Sequence, residues 1–181
     1  MLDPTPPIET YWVVPGKLLA GEYPGTRLIY DPLLLRKLGY LFERKITYFL
    51  DLTEPGALAP YREMLFQEAG RLGHTVEYHR FPIPDLGVPT RAQMRGLLDM
   101  LETALEAGQA AYVHCWSGIG RTGTLVGCFL VRHGLTGEQA LARLVELRSG
   151  LSDAWRRSPE SDEQWQMVLE WGGIGSPDFL V

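Results

Sequence analysis

Cys115 and Arg121 stand on either side of five residues in the run His114-Cys115-Trp116-Ser117-Gly118-Ile119-Gly120-Arg121-Thr122-Gly123. A thiolate is a strong nucleophile, and a guanidinium can grip two oxygens of a phosphate with its planar fork. Gly118 and Gly120 give the intervening backbone the freedom to wrap an anion with its N–H groups pointing inward. A helix opening near Arg121 aims its positive end at the same point, a field that favours thiolate at Cys115. The Thr122 hydroxyl is placed to hydrogen-bond the sulfur and ease its departure from phosphorus. Taken singly, Cys115 reads as a buried structural cysteine, the glycines as a tight turn and Arg121 as a surface arginine. Their joint occurrence in one ten-residue frame favours the chemical reading.

A sulfur nucleophile expels an alkoxide or phenoxide poorly without a proton donor. Asp85 is the candidate, in Phe81-Pro82-Ile83-Pro84-Asp85-Leu86-Gly87-Val88-Pro89, thirty residues before Cys115. The plainer role is a turn aspartate. Asp51, Glu54 and the Arg156-Arg157 pair can border the same pocket, and Arg157, beside Ser158, is expected as a second anion contact. Cys128 falls within an apolar stretch and reads as core.

These residues need a scaffold. Trp12–Val14 and Lys17–Ala20 flank the turn pair Pro15-Gly16 and predict a hairpin. Asp31-Pro32 opens a helix with Leu34, Leu38, Leu41 and Phe42 on its apolar face. Ile46–Leu50 reads as a buried strand, Tyr61–Arg71 as a helix and Thr75–Phe81 as a strand. Prolines exclude regular structure from Pro82 to Pro89. Thr90 and Gln93 make a capping box ahead of Met94, Leu97, Leu98, Leu101 and Leu105. Ala110–Val113 predicts the strand that leads into Cys115, and Thr122–Val131 a helix buried all round. Gln139–Arg148 and Pro159–Trp171 predict the last two helices, the final one capped by Ser158. The pattern is a single-domain α/β fold, with a central mixed or parallel sheet flanked by helices. Residues 1–10 read as a leader, 11–172 as the domain and 173–181 as a tail.

The chain has 181 residues, enough for one buried core, with 45% apolar and 22% charged residues, so disorder is not indicated. Seventeen basic against 22 acidic residues give a net charge of −5, which offers no general footprint for nucleic acid or an anionic membrane. Two cysteines make no disulfide framework and fit a reducing compartment. The N-terminal residues have no basic cluster and no secretory pattern, and no apolar run reaches the length of a membrane span. The expectation is a soluble cytoplasmic protein. His74, His79 and His133 show no metal-ligand spacing, so no metal is expected. Nothing in the sequence sets an oligomeric state.

The ten residues His114–Gly123 match the HCxxGxGRTG pattern of protein tyrosine phosphatases. The short chain resembles the dual-specificity branch, particularly its small atypical members and prokaryotic relatives, from about Trp12 to Trp171. The resemblance implies an α/β phosphatase fold, a phosphocysteine intermediate and no cofactor. It implies phosphate binding by Arg121 and the amides of Trp116, Ser117, Gly118, Ile119 and Gly120, with Asp85 as general acid and then base. His114 is implied to buttress the loop. Glu160 and Gln164, four apart on the expected last helix, resemble a Glu…Gln pair that suggests placement of water or of Arg121; otherwise they are a solvated first turn. Residues 149–158 depart from the shortest relatives as an insertion.

The expected substrate is a phosphorylated protein or aryl phosphate, phosphotyrosine with some phosphoserine or phosphothreonine. Lipid phosphatases of the superfamily often place lysines where this chain has Trp116 and Ile119, so a phosphoinositide, nucleotide or RNA 5′-phosphate is the alternative substrate. A phosphate-binding module without turnover is the alternative class. Rhodanese-like and arsenate-reductase-like readings suit the frame and its mid-chain position less well.

Overall fold

The computed structural model describes residues 6–25 and 32–172. Five strands, β1 (Thr10–Val14), β2 (Leu18–Gly21), β3 (Ile46–Asp51), β4 (Glu77–Arg80) and β5 (Ala110–His114), form one mixed sheet in the order β1-β2-β5-β3-β4. β1 and β2 are the antiparallel hairpin that Pro15-Gly16 predicts, and β2, β5, β3 and β4 run parallel. β5 is buried along its whole length, as a central parallel strand must be.

Six helices cover the sheet: α1 (Pro32–Glu43), α2 (Arg62–Leu72), α3 (Arg91–Glu106), α4 (Gly120–Arg132), α5 (Gly137–Arg148) and α6 (Asp162–Leu169). Leu34, Leu38, Leu41 and Phe42 of α1 pack with Leu65 and Ala69 of α2, Phe49 and Tyr112 in one core. The apolar residues of α3 and α4 pack with Ala140, Leu141, Leu144 and Val168 in a second core on the other layer. The fold class read from the sequence is thus the one observed.

Several details differ. Ile8 is buried and Thr10 already belongs to β1, so the end of the expected leader is part of the fold. Asp31, expected to cap α1, lies outside the described residues, as do residues 173–181. The expected Thr90–Gln93 capping box is present, and a second one, Thr136 with Gln139, starts α5 two residues earlier than the apolar pattern indicates. The last helix also starts later than expected. Its cap is Ser161 in a box with Gln164, and Ser158 is no cap. The Ser158 hydroxyl instead donates to the Ile119 carbonyl at 2.8 Å. Among the described residues no helix is long and apolar enough to cross a membrane.

Candidate active site

The parallel strands end in a row. Gly21 of β2, His114 of β5, Asp51 of β3 and Arg80 of β4 are register partners across the sheet. This row is the floor on which the Cys115–Arg121 loop sits. Asp51 is fully buried and accepts from the Tyr78 hydroxyl at 2.6 Å, the Arg80 guanidinium at 2.8 and 3.0 Å, and the Thr53 hydroxyl and amide at 2.7 and 2.8 Å. Burial works against its charge, yet the nearby His114 ring and the donors of Tyr78 and Thr53 hold the carboxyl below its ordinary value.

His114 is fully buried. Its Nδ1 lies 3.2 Å from the Cys115 carbonyl, which can only accept, so that nitrogen carries the proton. Nε2, 2.7 Å from the Tyr61 hydroxyl, is then the acceptor. Burial lowers the His114 pKa and keeps the ring neutral, against the pull of Asp51. The ring thus ties the backbone of Cys115 to Tyr61, with both of its nitrogens engaged.

This pair has a consequence for stability. Unfolded chain binds protons at the ordinary values of 6.5 for histidine and 3.8 for aspartate, while the folded groups resist protonation. Their stabilisation is present above those values and is lost as pH falls. Thermal unfolding midpoints are expected to drop as pH is lowered from about 7 to about 5, with His114 contributing up to about 1.4 kcal/mol per pH unit. A His114→Asn variant should show a shallower slope there. A flat wild-type profile would contradict the neutral buried imidazole.

The loop is seated by close contacts. Gly118 has φ of +72°, and a Cβ there would lie 2.5 Å from the Gly21 backbone. The Tyr23 amide donates to the Trp116 carbonyl at 2.8 Å. The first turn of α4 has no side-chain cap, so its N-terminal amides are left for an anion. Gly123 is required for a reason the sequence does not show: a Cβ would sit 2.3 Å from the Ser158 Oγ that holds the Ile119 carbonyl.

Cys115, Trp116, Ser117, Gly120 and Arg121 line a cavity of about 390 Å³ together with Asp85, Leu86, Arg156 and Glu160. Cys115 and Arg121 are buried, while Trp116 stands exposed at the mouth. Arg121 donates to the Ile83 carbonyl at 3.1 Å and pairs with Asp85 at 3.0 Å. The structure thus brings Asp85 to the cavity of Cys115. Its loop is laced to the body of the protein: the Ile83 amide donates to the Leu52 carbonyl, the Asp85 amide to Glu54, Ser161 Oγ to the Leu86 carbonyl and Gln164 Nε2 to the Gly87 carbonyl.

Other expectations are redrawn. Ile119 is fully buried and does not line the cavity, so only its amide is available to phosphate. Thr122 Oγ1 is buried without a hydrogen-bond partner among the described residues, so the expected bond to the sulfur is not formed. Glu160 precedes α6 rather than sharing a helical face with Gln164. Gln164 is fully buried; its Oε1 accepts from the amides of Glu160 and Ser161. It holds the acid loop and does not bond Arg121. Arg157 pairs with Asp162 at 2.6 Å and stacks over Trp165, outside the cavity lining. Its neighbour Arg156 is the arginine that enters. Cys128 is buried in α4, and burial pushes its thiol pKa up, as befits a packing residue. Among the described residues no group of His, Cys, Asp and Glu is placed to hold a metal ion.

A larger groove of about 860 Å³ adjoins this cavity and shares Trp116, Ser117 and Arg156 with it; Glu9, Glu22, Lys37, Leu58 and Asp153 are among its other walls.

Comparison with known proteins gives the family and the fold. Residues 7–164 match the family described as "Swiss Army Knife protein, DSP-PTPase phosphatase domain". Protein tyrosine phosphatase domain-containing protein 1 of Danio rerio is 37% identical over 78 residues, covering 43% of this chain and 10% of that protein. Dual specificity protein phosphatase CDC14C of Symphalangus syndactylus is 29% identical over 146 residues, 77% of this chain and 28% of the relative. The chain therefore spans under a third of the length of these relatives. Among solved structures, Tk-PTP in its active form superposes with a TM-score of 0.70 at 22% identity, covering 90% of this chain and 95% of that one. Kinase associated phosphatase superposes with a TM-score of 0.71 at 22% identity, covering 93% and 96%. PTPMT1 in complex with PI(5)P gives 0.65 at 19%, covering 90% and 94%. With its cysteine loop at the end of β5 and its match over most of its length, the chain belongs to the dual-specificity branch of the protein tyrosine phosphatase superfamily.

Proposed function

We propose that this domain hydrolyses phosphomonoesters through a phosphocysteine intermediate on Cys115, with protein-borne or other aryl phosphates as substrate. The observation that carries the reading is the convergence of Cys115, Arg121 and Asp85 on one cavity at the uncapped start of α4. Phosphate oxygens take the loop amides and the Arg121 guanidinium, the charge-assisted pairing a buried arginine suits. Sulfur attacks phosphorus in line with the leaving oxygen, the S–P bond forms and the P–O bond breaks. Protonated Asp85 gives its proton to the leaving oxygen, then as carboxylate takes one from the water that cleaves the S–P bond. His114 and Tyr61 hold the Cys115 backbone, and Gln164 holds the acid loop.

Trp116, exposed at the mouth, presents a flat face to an aryl group. In the adjoining groove Lys37 is paired with Glu22 and Asp153 with buried Arg148, so the groove holds no surplus of positive charge for a polyanionic headgroup. Rapid acid quench during turnover of an aryl phosphate, followed by peptide mass analysis, should find a phosphoryl group on Cys115. Turnover with no such adduct at any quench time would sink the covalent route.

A further inference from the structure

Arg156 occupies a place that the proposed reaction has not used. It lines both the cavity of Cys115 and the adjoining groove, so it stands where the two meet. Its guanidinium carries five N–H donors, and Nη2 donates to Glu160 at 2.7 Å. No other side-chain donation by Arg156 is found among the described residues, and the pair is about one-third exposed on each side, within reach of an entering ligand.

The segment that carries Arg156 is clamped from below. Arg148, at the end of α5, is only 2% exposed. Its Nη2 donates to Asp153 Oδ1 at 2.6 Å and its Nη1 to the Arg156 carbonyl at 3.2 Å. The Arg156 amide closes the loop on the Asp153 carbonyl at 2.9 Å. Two residues on, Ser158 is tied to the Ile119 carbonyl at the start of α4. A buried guanidinium is expensive to desolvate, and here its bonds go to the two points that fix where Arg156 lies. The 149–158 segment is therefore held in register with the phosphate loop.

We propose that Arg156 is a second phosphate-binding arginine of this site, and that buried Arg148, acting through Asp153, is the residue that positions it. This rests on the phosphomonoesterase reading above. The two guanidiniums of the cavity are each met by a carboxylate, Arg121 by Asp85 and Arg156 by Glu160. A phosphate dianion entering between them finds a donor set on both sides. Arg156 contacts it before and during the reaction alike, so its contribution falls on binding.

The test uses p-nitrophenyl phosphate turnover and competitive inhibition by inorganic phosphate. Arg156→Ala should raise KM and the phosphate Ki together by about tenfold, with kcat within about twofold of wild type. Arg156→Lys should recover part of that loss. Asp153→Asn loosens the clamp at a partly exposed position and should raise KM by about threefold, yet add nothing in the Arg156→Ala background. Unchanged KM and Ki in a folded Arg156→Ala protein would overturn the role of Arg156. A full additive cost of Asp153→Asn in the double variant would overturn the positioning by Arg148. A wild-type protein with no turnover of any phosphomonoester, but with phosphate still bound through Arg156, would remove the hydrolase reading and leave the second arginine standing.

Discussion

Cys115→Ser is expected to lower kcat on an aryl phosphate by about 10⁴-fold or more while leaving the fold and the grip on phosphate in place. The substitution replaces one buried atom by a smaller one, so the loop on the floor row has no cause to rearrange. The loss is chemical. A serine hydroxyl is a poor nucleophile until a base takes its proton, and no described group beside it is free for that task. His114 spends Nδ1 on the Cys115 carbonyl and Nε2 on Tyr61. Asp85 is paired with Arg121 and, in the proposed mechanism, faces the leaving oxygen. Parallel measurement of kcat and of inorganic phosphate Ki separates the two effects: kcat collapses and Ki stays within a few-fold. Near wild-type turnover by the purified serine variant would place the nucleophile elsewhere.

Asp85→Asn is expected to cut kcat by about 10²-fold or more on aryl phosphates with poor leaving groups, and by much less on activated ones that need no proton. The same variant should bind inorganic phosphate several-fold more tightly. Asp85 lies 3.0 Å from Arg121, so its carboxylate competes with phosphate for the guanidinium, and the neutral amide competes less. The two effects in opposite directions distinguish an acid from a residue that merely shapes the loop, whose loss would weaken binding and turnover together. A loss of equal size on all leaving groups would contradict the assignment. The series is measured as kcat against phenol acidity, with phosphate Ki alongside.

The residues that line the cavity of Cys115 were in part legible in the sequence, because each stretch is local. Cys115, the glycines and Arg121 lie within seven residues, and Asp85 is marked by the prolines that strip its segment of regular structure. The hairpin at Pro15-Gly16 and the Thr90 capping box were readable for the same reason. What escaped depends on residues far apart in the chain. Ser158 looked like a cap because a serine precedes a helical stretch, but its hydroxyl is claimed by Ile119, 39 residues away. The true cap was available as Ser161 with Gln164, a spacing of three like that of Thr90 with Gln93. Arg156 and Arg157 are adjacent and alike in composition. Tertiary contacts tell them apart: Arg148 holds the Arg156 carbonyl, while Asp162 and Trp165 hold the Arg157 side chain. Ile119 could not be told from Trp116 by type, since both are large and apolar, and only packing sends one into the core and leaves the other at the mouth.

The row of Gly21, His114, Asp51 and Arg80 has one more effect, on how the chain reaches its native state. The parallel strands β3 and β5 are apolar on both faces, so alternation of apolar and polar residues does little to set their alignment. A slip of β3 by one residue against both neighbours would set Leu50 or Leu52 opposite His114 and Arg80 and take the Asp51 carboxylate off the face that Tyr78, Arg80 and His114 present. An ionised carboxylate buried without those partners is several kcal/mol too costly to keep. One aspartate thus ties the alignment of β4, β3 and β5 to a single set of polar contacts at their ends.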